Sequence, residues 1–465
     1  MRYVKGCEEE SKQKTLDFQA KMKMGYDFKK AYAARRAWEF YNHPDVAGRA
    51  YVAVGGLDSI TLLLFLRSIG IIVPAVSVSM LEDKSIQRIH KALGVKSIKP
   101  VNNQETGRPF TKVEVIRKFG FPVLSKETAS KISLLQNPTE KNKTVRHAIM
   151  TGETGAYGGF RKNTRMKMSK KWLVKFGGPE NEREGTDYQS APFAVSDLCC
   201  YYLKEKPCND YARESGRFPY MGIMASEHGR REKALMLNGC NYISKSTKRS
   251  APFAIFTRQD ILTMALEMEV YYQEHWEEFR PIIGVTEDGA EIYGEPVHLE
   301  TIVPEIYGEI VRDPVALTEE QIAEYRQEHG GAEPEGQLRT TKAQRTGCAM
   351  CGFGIHIEDR PHRFDRIRYK NPKEWDMWMN HICKDENGEW YGWGLVLDYI
   401  GVGWKDDLFD QKDPKPLCTE CVGTLQKGFV LERPAGLEAV QMKKGTCWSC
   451  GRKRKVSLYF ATGEV

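Results

Sequence analysis

The sequence predicts an α/β protein in which a parallel sheet is flanked by helices. Three observations predict this fold class. Short apolar runs rich in β-branched residues alternate with longer helical stretches along the first 280 residues. The first of these runs turns at two glycines straight into an apolar helical stretch, a strand-turn-helix order typical of such sheets. The chain of 465 residues is also long enough for two or three domains with a substantial core.

The pattern divides the chain into four regions. Residues 1–46 are predicted to be helical, because apolar residues recur there at three- and four-residue spacings before Pro44. Residues 47–280 carry the alternating strands and helices of the α/β domain. Residues 281–405 are a loop-rich region with many glycines, prolines and glutamates at its start. Residues 406–465 form a small tail.

Composition limits the class of protein. The net charge of +7, from 69 basic and 62 acidic residues, suits a polyanionic partner without requiring one. No apolar run approaches the roughly 20 residues that span a bilayer, and the N-terminus lacks the apolar core of a signal peptide. We therefore expect a cytoplasmic protein with no membrane partner. In such a chain, 12 cysteines favour metal or redox sites over disulfides.

The stretch that organises the α/β region is residues 51–70, YVAVGGLDSITLLLFLRSIG. A strand at 51–54 is followed by Gly55 and Gly56, which let the backbone bend sharply and approach a ligand. Asp58 and Ser59 stand where a helix N-cap is expected. The free N–H groups of such a turn lie at the positive end of a helix dipole, which predicts a phosphate site. An ordinary strand-to-helix turn is the alternative.

Further predicted elements follow in chain order. Strands are predicted at 71–79, 97–101 and 219–225, with a helix at 84–93. The residues after 219–225 read as a helix with Arg230 and Arg231, and Lys245 and Lys248 precede a helix capped near Thr257. Residues 155–190 interleave aromatic residues with lysines and arginines, which suits either a loop that touches phosphates or a plain surface excursion.

The last cysteines of the chain form two C-x-x-C pairs, Cys418/Cys421 and Cys447/Cys450, about two dozen residues apart. Each pair can offer two thiolates to one tetrahedral ion, with a hairpin between the pairs. The spacing predicts a structural zinc ribbon that stabilises a tail with little core of its own. The basic run at 452–455 suits either nucleic acid or a solvated end.

Two earlier cysteine pairs, Cys199–Cys200 and Cys348-x-x-Cys351, could supply the four thiolates of a [4Fe–4S] cluster. Their spacing alone does not join them, because about 150 residues separate the pairs. Taken alone, Cys199 and Cys200 could equally be two buried core thiols.

Several motifs occur in one order: the GG-x-DS loop, FGFPVLSKE at 119–127, CC-x-x-x-K-x-x-P at 199–207, GIMASEHGRR, RTGCAMCGFG at 345–354 and WGLVLDYI at 393–400. Over roughly residues 25–400 the chain resembles the phosphoadenosine-phosphosulfate (PAPS) reductase-like family of PP-loop ATP pyrophosphatases and sulfonucleotide reductases. The resemblance implies a HUP-type sheet and a [4Fe–4S] cluster, in the C-terminal half, held by Cys199, Cys200, Cys348 and Cys351.

The resemblance also implies roles for individual residues. Gly55, Gly56, Leu57, Asp58 and Ser59 would bind the phosphates of an adenine nucleotide, ATP or a sulfonucleotide, with Asp58 on Mg²⁺. Catalytic roles fall to Asp58 and to the arginines Arg230 and Arg231, and Lys245 and Lys248 would neutralise phosphate charge. The chain departs from the family at Val54, which replaces a serine, and it lacks the E-C-G-x-H segment that carries the reductases' catalytic cysteine.

Three functions follow. The first is an ATP-dependent enzyme that activates an acceptor, such as tRNA, DNA or a small molecule. A cluster-bound or persulfide sulfur then displaces AMP, and a sulfur donor protein is a candidate partner. The second is a sulfonucleotide reductase that releases sulfite and takes its nucleophile from a free cysteine or a partner protein, with an electron donor protein as a candidate partner. The third is a nucleotide-binding regulatory protein without catalysis. Retention of the GG-x-DS loop favours ATP.

Overall fold

The computed structural model describes residues 7–178, 189–227, 229–315, 317–328, 331, 333–344, 347–348, 350–358, 362–404, 415–426, 429–433, 443–450 and 452–464. The chain divides into two compact units. The first unit comprises Met1–Lys99 and Lys206–Ala349, and the second comprises Pro100–Glu205 and Met350–Val465. Each unit is thus built from two separate stretches of chain, whereas the sequence suggested four consecutive regions.

Helices and strands alternate from β1 to α5, and runs of helices or of strands follow elsewhere. In chain order, the α-helices are α1 Cys7–Met22, α2 Tyr26–Tyr41, α3 Leu57–Ser68, α4 Lys84–Ala92, α5 Lys112–Phe119, α6 Lys126–Gln136, α7 Lys143–Thr151, α8 Lys170–Phe176, α9 Leu198–Cys200, α10 Lys206–Ser215, α11 Gly229–Asn238, α12 Arg258–His275, α13 Glu319–Glu328, α14 Arg363–Lys370, α15 Pro372–Asn380, α16 Trp393–Ile400 and α17 Thr419–Leu425. The strands are β1 Ala50–Ala53, β2 Ala75–Ser77, β3 Lys96–Ser97, β4 Phe218–Met221, β5 Asn241–Ile243, β6 Lys248–Ser250, β7 Ile282–Val285, β8 Glu291–Tyr293, β9 Ile310–Arg312, β10 Leu338–Thr340, β11 Cys383–Lys384, β12 Trp390–Tyr391, β13 Lys415–Cys418, β14 Phe429–Glu432, β15 Lys443–Thr446 and β16 Lys453–Glu464.

The first unit is organised around a six-stranded sheet in the order β3-β2-β1-β4-β6-β5. All neighbouring strands are parallel except β5, which is antiparallel to β6 at the edge. The predicted α/β class, with a largely parallel sheet flanked by helices, is confirmed. The strands are shorter than predicted: the 71–79 run forms only β2, because Pro74 interrupts the backbone pattern before it.

Helix α3, which directly follows β1, is largely buried in the core of the first unit. Its sequence is apolar all round, and every residue from Leu57 to Leu66 except Asp58 is buried, as expected of a helix covered on more than one side. Its neighbour α12 begins at the predicted cap, Thr257, where the side chain of Asp260 accepts the Thr257 amide at 2.6 Å. The buried ammonium of Lys29 holds the same carboxylate at 2.8 Å.

The second unit has an aromatic core. Phe121 packs edge-on against Trp393 with ring centroids 5.0 Å apart, and Trp393 is fully buried. A separate small core lies in the tail, where Leu417, Leu425 and Val456 pack around cysteines. There β16 pairs with β13, β14 and β15, all antiparallel.

Two further outcomes concern the loop-rich region and membranes. Strands β7 and β8 form an antiparallel pair, as the predicted hairpins require, but α13 was not predicted. Within the described ranges, no helix combines the length and apolar character that crossing a membrane demands.

Candidate functional site

The GG-x-DS loop lies at the carboxyl end of β1, the central strand of the sheet. From β1 the sheet extends through β2 and β3 on one side and through β4 on the other. The order of the strands therefore reverses between β1 and β4. In open parallel sheets a ligand binds in the crevice at such a switch point, beyond the carboxyl ends of the strands. The location predicted for the phosphate site is thus the one that this topology favours.

Inside the loop, two hydroxyl groups already occupy backbone donors. The Gly55 amide donates to Ser59 Oγ at 2.7 Å, and this hydroxyl donates to the Gly56 carbonyl at 3.0 Å. The Leu57 amide donates to the Tyr307 hydroxyl at 3.2 Å. The helix begins at Leu57 with Gly56 as its N-cap, two residues before Asp58, the first of the predicted cap positions. A phosphate that used both amides would have to displace both hydroxyls.

A buried histidine donates a hydrogen bond to the loop. His90 Nε2 lies 2.8 Å from the Gly55 carbonyl oxygen, and Nδ1 lies 3.0 Å from Ser79 Oγ. Because a carbonyl oxygen only accepts, Nε2 carries the hydrogen in this bond. His90 was missed from the sequence. The signal for it is its place on the buried face of α4, beside Ile86 and Ile89.

Two carboxylates and one guanidinium flank the loop. Asp58 Oδ1 accepts from Arg258 Nη1 at 2.6 Å, and Arg258 Nη2 donates to the Gln344 carbonyl at 3.1 Å. A Cβ at Gly55 would lie 3.7 Å from Glu82 Oε1, so this largely buried carboxylate lies beside the glycine. Carboxylate oxygens are the ligands that Mg²⁺ prefers. Arg258 and Glu82 were not predicted.

Gly222 brings β4 against the loop. A Cβ at this position would lie 2.9 Å from Ser59 Cα and 3.0 Å from the Asp58 carbonyl oxygen, closer than atoms can approach without displacement. Only glycine therefore lets the segment after β4 pack on the first turn of α3.

The predicted lysines are not brought to the loop. Lys248 begins β6, and its ammonium lies 5.2 Å from the centre of the Phe218 ring, at the start of β4. Since β4 and β6 are parallel, this is the amino end of both strands, opposite the loop. Lys245 precedes Lys248 in the same turn. Neither lysine therefore belongs to the candidate phosphate site.

The predicted arginines follow β4 on helix α11. Arg231 pairs with Glu227, one turn earlier in the chain. Glu227 Oε2 also accepts from the Met224 amide at 3.4 Å. The side chain of Arg230 lies outside the described residues.

The four C-terminal cysteines converge as their spacing predicts, and we call them the tail site. Their sulfur atoms all lie within 4.8 Å of one another, and Cys418 and Cys450 are 3.9 Å apart. Four sulfurs around one zinc at about 2.3 Å would stand about 3.8 Å apart. The arrangement therefore fits one tetrahedral metal ion.

The local backbone builds the tail site. Cys418 ends β13, and its amide donates to Cys447 Sγ at 3.3 Å. Hydrogen bonds from the Cys421 and Cys450 thiols lower the pKa of Cys447, and the hydrogen bond between Cys421 and Cys447 raises the pKa of Cys421. Metal binds the thiolate form of cysteine. The hairpin is β15–β16, carrying Cys447 and Cys450 at its turn, rather than the segment between the pairs.

Half of the basic run beside the tail site is paired. Arg452 and Arg454 donate to Glu420 Oε2 at 3.3 and 2.6 Å. These two guanidinium groups therefore hold α17 against β16 and are not simply a solvated end.

The cysteines predicted to hold the cluster lie in different places. Cys199 and Cys200 end α9 and are followed directly by a π-helical turn, Tyr201–Glu205; such turns are frequent at functional sites. Cys351 belongs to the same unit, and Cys348 is among the last residues of the first unit. We call Cys199, Cys200 and Cys351 the interior cysteines.

One short segment, residues 121–124, pairs with the chain next to both groups of interior cysteines. The Phe121 amide donates to the Ala194 carbonyl at 2.8 Å, and the Ser196 amide donates to the Phe121 carbonyl at 3.1 Å. Three residues on, the Leu124 carbonyl accepts from the Gly354 amide at 2.7 Å. Cys199 follows Ser196 by three residues and Cys351 precedes Gly354 by three. This segment, part of FGFPVLSKE, therefore pairs with the last residue of RTGCAMCGFG and with the chain shortly before CC-x-x-x-K-x-x-P.

The turn around Cys351 is strained and tightly packed. Met350 is buried with a φ of 53°, a conformation that side chains rarely adopt. A Cβ at Gly352 would lie 2.2 Å from the Trp393 ring and 2.7 Å from the Pro122 carbonyl oxygen. Strained positions of this kind persist where the surrounding structure fixes them, often at functional sites.

Two other thiols have raised pKa values. Burial raises the pKa of Cys240 to about 11, and burial also raises that of Cys383. A thiol with a raised pKa is a poor nucleophile at neutral pH. Cys383 lines a cavity of about 360 Å³, together with Ile116, Arg117, Gly120, Phe121, Ala194, Lys384, Trp390 and Tyr391.

Compared with models of known protein families, with curated proteins and with solved structures, this chain has no match.

Proposed function

We propose that the chain is an ATP-dependent activating enzyme that transfers sulfur and that resembles the PP-loop class. The observation that carries the proposal is the position of the GG-x-DS loop: it lies at the switch point of the sheet, it carries the Asp58 carboxylate, and Glu82 lies next to its Gly55. An anion bound there would meet the N-terminus of α3, and a magnesium ion on it would meet two carboxylates. We infer that the sheet is of the HUP type.

In this mechanism, an acceptor oxygen attacks the α-phosphorus of ATP and pyrophosphate leaves. Asp58 and Glu82 would supply oxygen ligands to Mg²⁺ on the phosphates. Arg258, which now holds Asp58, would turn to the charge that develops on the leaving pyrophosphate. His90 would hold the Gly55 carbonyl in place while the Gly55 and Leu57 amides exchange the Ser59 and Tyr307 hydroxyls for the phosphate.

In the second half-reaction, sulfur attacks the activated acceptor carbon, a carbon–sulfur bond forms and AMP leaves with the acceptor's oxygen. With sulfur at the oxidation level of sulfide, this exchange needs no further oxidant or reductant. A donor protein would deliver the sulfur.

We infer that Cys199, Cys200, Cys348 and Cys351 hold a [4Fe–4S] cluster, as the resemblance implies. The support within the second unit is that residues 121–124 pair with the chain just before Cys199 and just after Cys351. When bound, the cluster would supply sulfur-ligated iron chemistry. The tail site would hold zinc and stabilise the tail. The reductase alternative needs a nucleophilic thiol, and the raised pKa values of Cys240 and Cys383 disfavour both.

Product identity tests the reaction. Anaerobically purified protein with Mg²⁺ is given ATP, adenylylsulfate or PAPS in separate tubes, and pyrophosphate and sulfite are measured. We expect pyrophosphate from ATP. Asp58→Asn and Glu82→Gln should each lower its release about 100-fold, the scale of a lost charge-stabilising group. Asp45→Asn, an exposed carboxylate of the same unit, is the control.

Each other outcome overturns a part of the proposal. Sulfite from a sulfonucleotide would make the chain a reductase. Neither product, with nucleotide still bound, would make it a regulatory binding protein. Iron and acid-labile sulfide are measured separately: Cys199→Ser should lower both and leave zinc unchanged, and equal iron in variant and wild type would refute the cluster assignment.

A further inference from the structure

A strongly basic stretch lies in the second unit, at residues 154–175. From Thr154 to Lys175 the sequence contains no aspartate or glutamate and seven basic residues: Arg161, Lys162, Arg165, Lys167, Lys170, Lys171 and Lys175. We call residues 152–168 the basic loop. All four of its lysines and arginines are exposed, as are Lys170 and Lys171 at the start of α8.

Two large aromatic side chains project from the basic loop. Tyr157 is fully exposed and Phe160 is 76% exposed. Aromatic rings this exposed lose the burial that normally holds them in a fold, so they commonly mark a binding surface. In this loop they alternate with cations, and Phe160 directly precedes Arg161.

Hydrogen bonds hold the basic loop in this shape. The Thr154 amide donates to the Arg161 carbonyl at 2.9 Å, and the Arg161 amide donates to Thr154 Oγ1 at 2.9 Å. At the base, Thr164 Oγ1 donates to the Gly152 carbonyl at 2.7 Å and the Met168 amide donates to the Ile149 carbonyl at 2.8 Å. Hydrogen bonds therefore join the two sides of the basic loop both in its middle and at its base.

The backbone of the basic loop is strained next to its exposed rings. Phe160 has a φ of 49°, in the left-handed region that a bulky residue rarely adopts. Asn163 shares this conformation at 55°. A Cβ at Gly158 would lie 2.4 Å from Thr154 Cβ, so the turn between the two rings accepts only glycine there. Strain of this kind is typical of functional segments.

From this geometry we propose that the basic loop binds single-stranded nucleic acid. Unstacked bases would lie on the rings of Tyr157 and Phe160, and phosphates would meet the surrounding cations. A duplex offers no exposed base faces to the rings. The inference names the acceptor class of the proposed sulfur transfer and rests on that function only for its role; binding itself is independent of ATP.

The test measures binding without ATP. Fluorescein-labelled single strands of about 15 nucleotides, oligo-dT and oligo-U, are titrated with the full chain and compared with a duplex of equal length and with heparin. We expect the single strands to bind best. The variant Tyr157→Ala/Phe160→Asn removes both rings, and asparagine suits the positive φ. It should weaken single-strand binding at least about tenfold.

A second variant separates stacking from charge. Lys162→Gln/Arg165→Gln should flatten the slope of log affinity against log salt by about 1.4, at roughly 0.7 per phosphate contact. The ring variant should leave that slope unchanged. Matched controls are Lys141→Gln, an exposed lysine outside the loop, and Tyr293→Ala, a half-exposed ring that donates to Glu291.

The outcomes distinguish a failure of this inference from a failure of the proposed function. Unchanged binding by the ring variant, or equal binding of heparin and single strands, overturns the proposal in favour of a plain polyanion surface. Tighter binding of oligo-U or of oligo-dT identifies RNA or DNA as the source. Binding without pyrophosphate release refutes the proposed function alone, and pyrophosphate release without binding refutes this inference alone.

Discussion

The tail site and the interior cysteines use the same side chain, but the chain assembles them in different ways. In the tail site, each C-x-x-C pair lies at the end of a strand, and β16 joins the two strands directly. At the interior cysteines, residues 121–124 must first pair with two distant segments. A site built from neighbouring residues can be recognised from spacing, whereas a site built by a third segment depends on packing that spacing does not record.

The largest effect is expected from removing one ligand of the tail site. Cys447→Ser should abolish zinc binding and unfold strands β13–β16 and helix α17, because structural zinc in small domains is worth about 10–16 kcal/mol. Metal analysis and limited proteolysis of the tail measure the two effects. Cys208→Ser, a thiol outside both cysteine sites, is the control. A variant tail that stays zinc-loaded and protease-resistant would show that the tail folds without this ligand.

The next largest effect is expected from a substitution that disturbs the packing around the interior cysteines but leaves all the cysteines in place. Gly352→Ala places a Cβ against Trp393 and the Pro122 carbonyl, which should lower the free energy of unfolding by about 1–3 kcal/mol and reduce bound iron several-fold. Urea denaturation and iron analysis measure this.

The matched control for Gly352 lies in the tail. At Gly423, within α17, a Cβ would meet nothing within 4 Å. Gly423→Ala should leave zinc in place and raise helix stability by about 0.5–1 kcal/mol. If Gly352→Ala kept wild-type iron, remote packing would not be what assembles the interior cysteines.

The GG-x-DS loop extends the comparison to a site without cysteines. Gly222→Ala pushes a Cβ towards Ser59 Cα, so that the first turn of α3 must move. We expect ATP affinity to fall about tenfold, measured by calorimetry. Gly25→Ala, where a Cβ meets nothing within 4 Å, should bind as wild type does. Equal affinities in both variants would show that the loop does not need the close approach of β4.

The smallest effect is a pH dependence near Cys351. Burial lowers the pKa of His356, whose ring lies 5.9 Å from that of Trp172. Unfolded His356 takes up a proton near its ordinary pKa of 6.5, and the folded form does so only at lower pH. The contribution of neutral His356 to the free energy of unfolding is therefore fully present above pH 6.5. It is lost as the pH falls from 6.5 through the lower pKa of the folded form.

His356→Phe keeps an aromatic ring against Trp172 and removes the proton. Urea denaturation at pH 7.5 and pH 5.5 should show a smaller loss of stability in the variant than in wild type. An identical loss would place the pH dependence on other groups.

Spacing along the chain was enough for some of this structure. The alternation of runs predicted the largely parallel sheet, Thr257 predicted the start of α12, and two C-x-x-C pairs predicted the tail site. Each of these depends on residues that are close in sequence. Helix caps, turns and metal knuckles are local structures, so their residue types and spacings carry the information.

Other features depended on distant contacts. His90, Glu82, Arg258 and Tyr307 surround the GG-x-DS loop from 23 or more residues away, and no local pattern connects them with it. Lys248 was expected at the phosphates, but the direction of β6 places it at the amino ends of the strands, opposite the loop. Side-chain type alone does not tell at which end of a strand a charge will lie.

By itself, then, the sequence determined the class of sheet, the position of the glycine loop within it and the tail site, because these follow from periodicity, turn chemistry and ligand spacing. The tertiary structure alone decided that Glu82 lies beside Gly55, that residues 121–124 pair with both interior segments, and that the rings of the basic loop are exposed. These depend on strand order and close packing, which join residues that the linear chain keeps far apart.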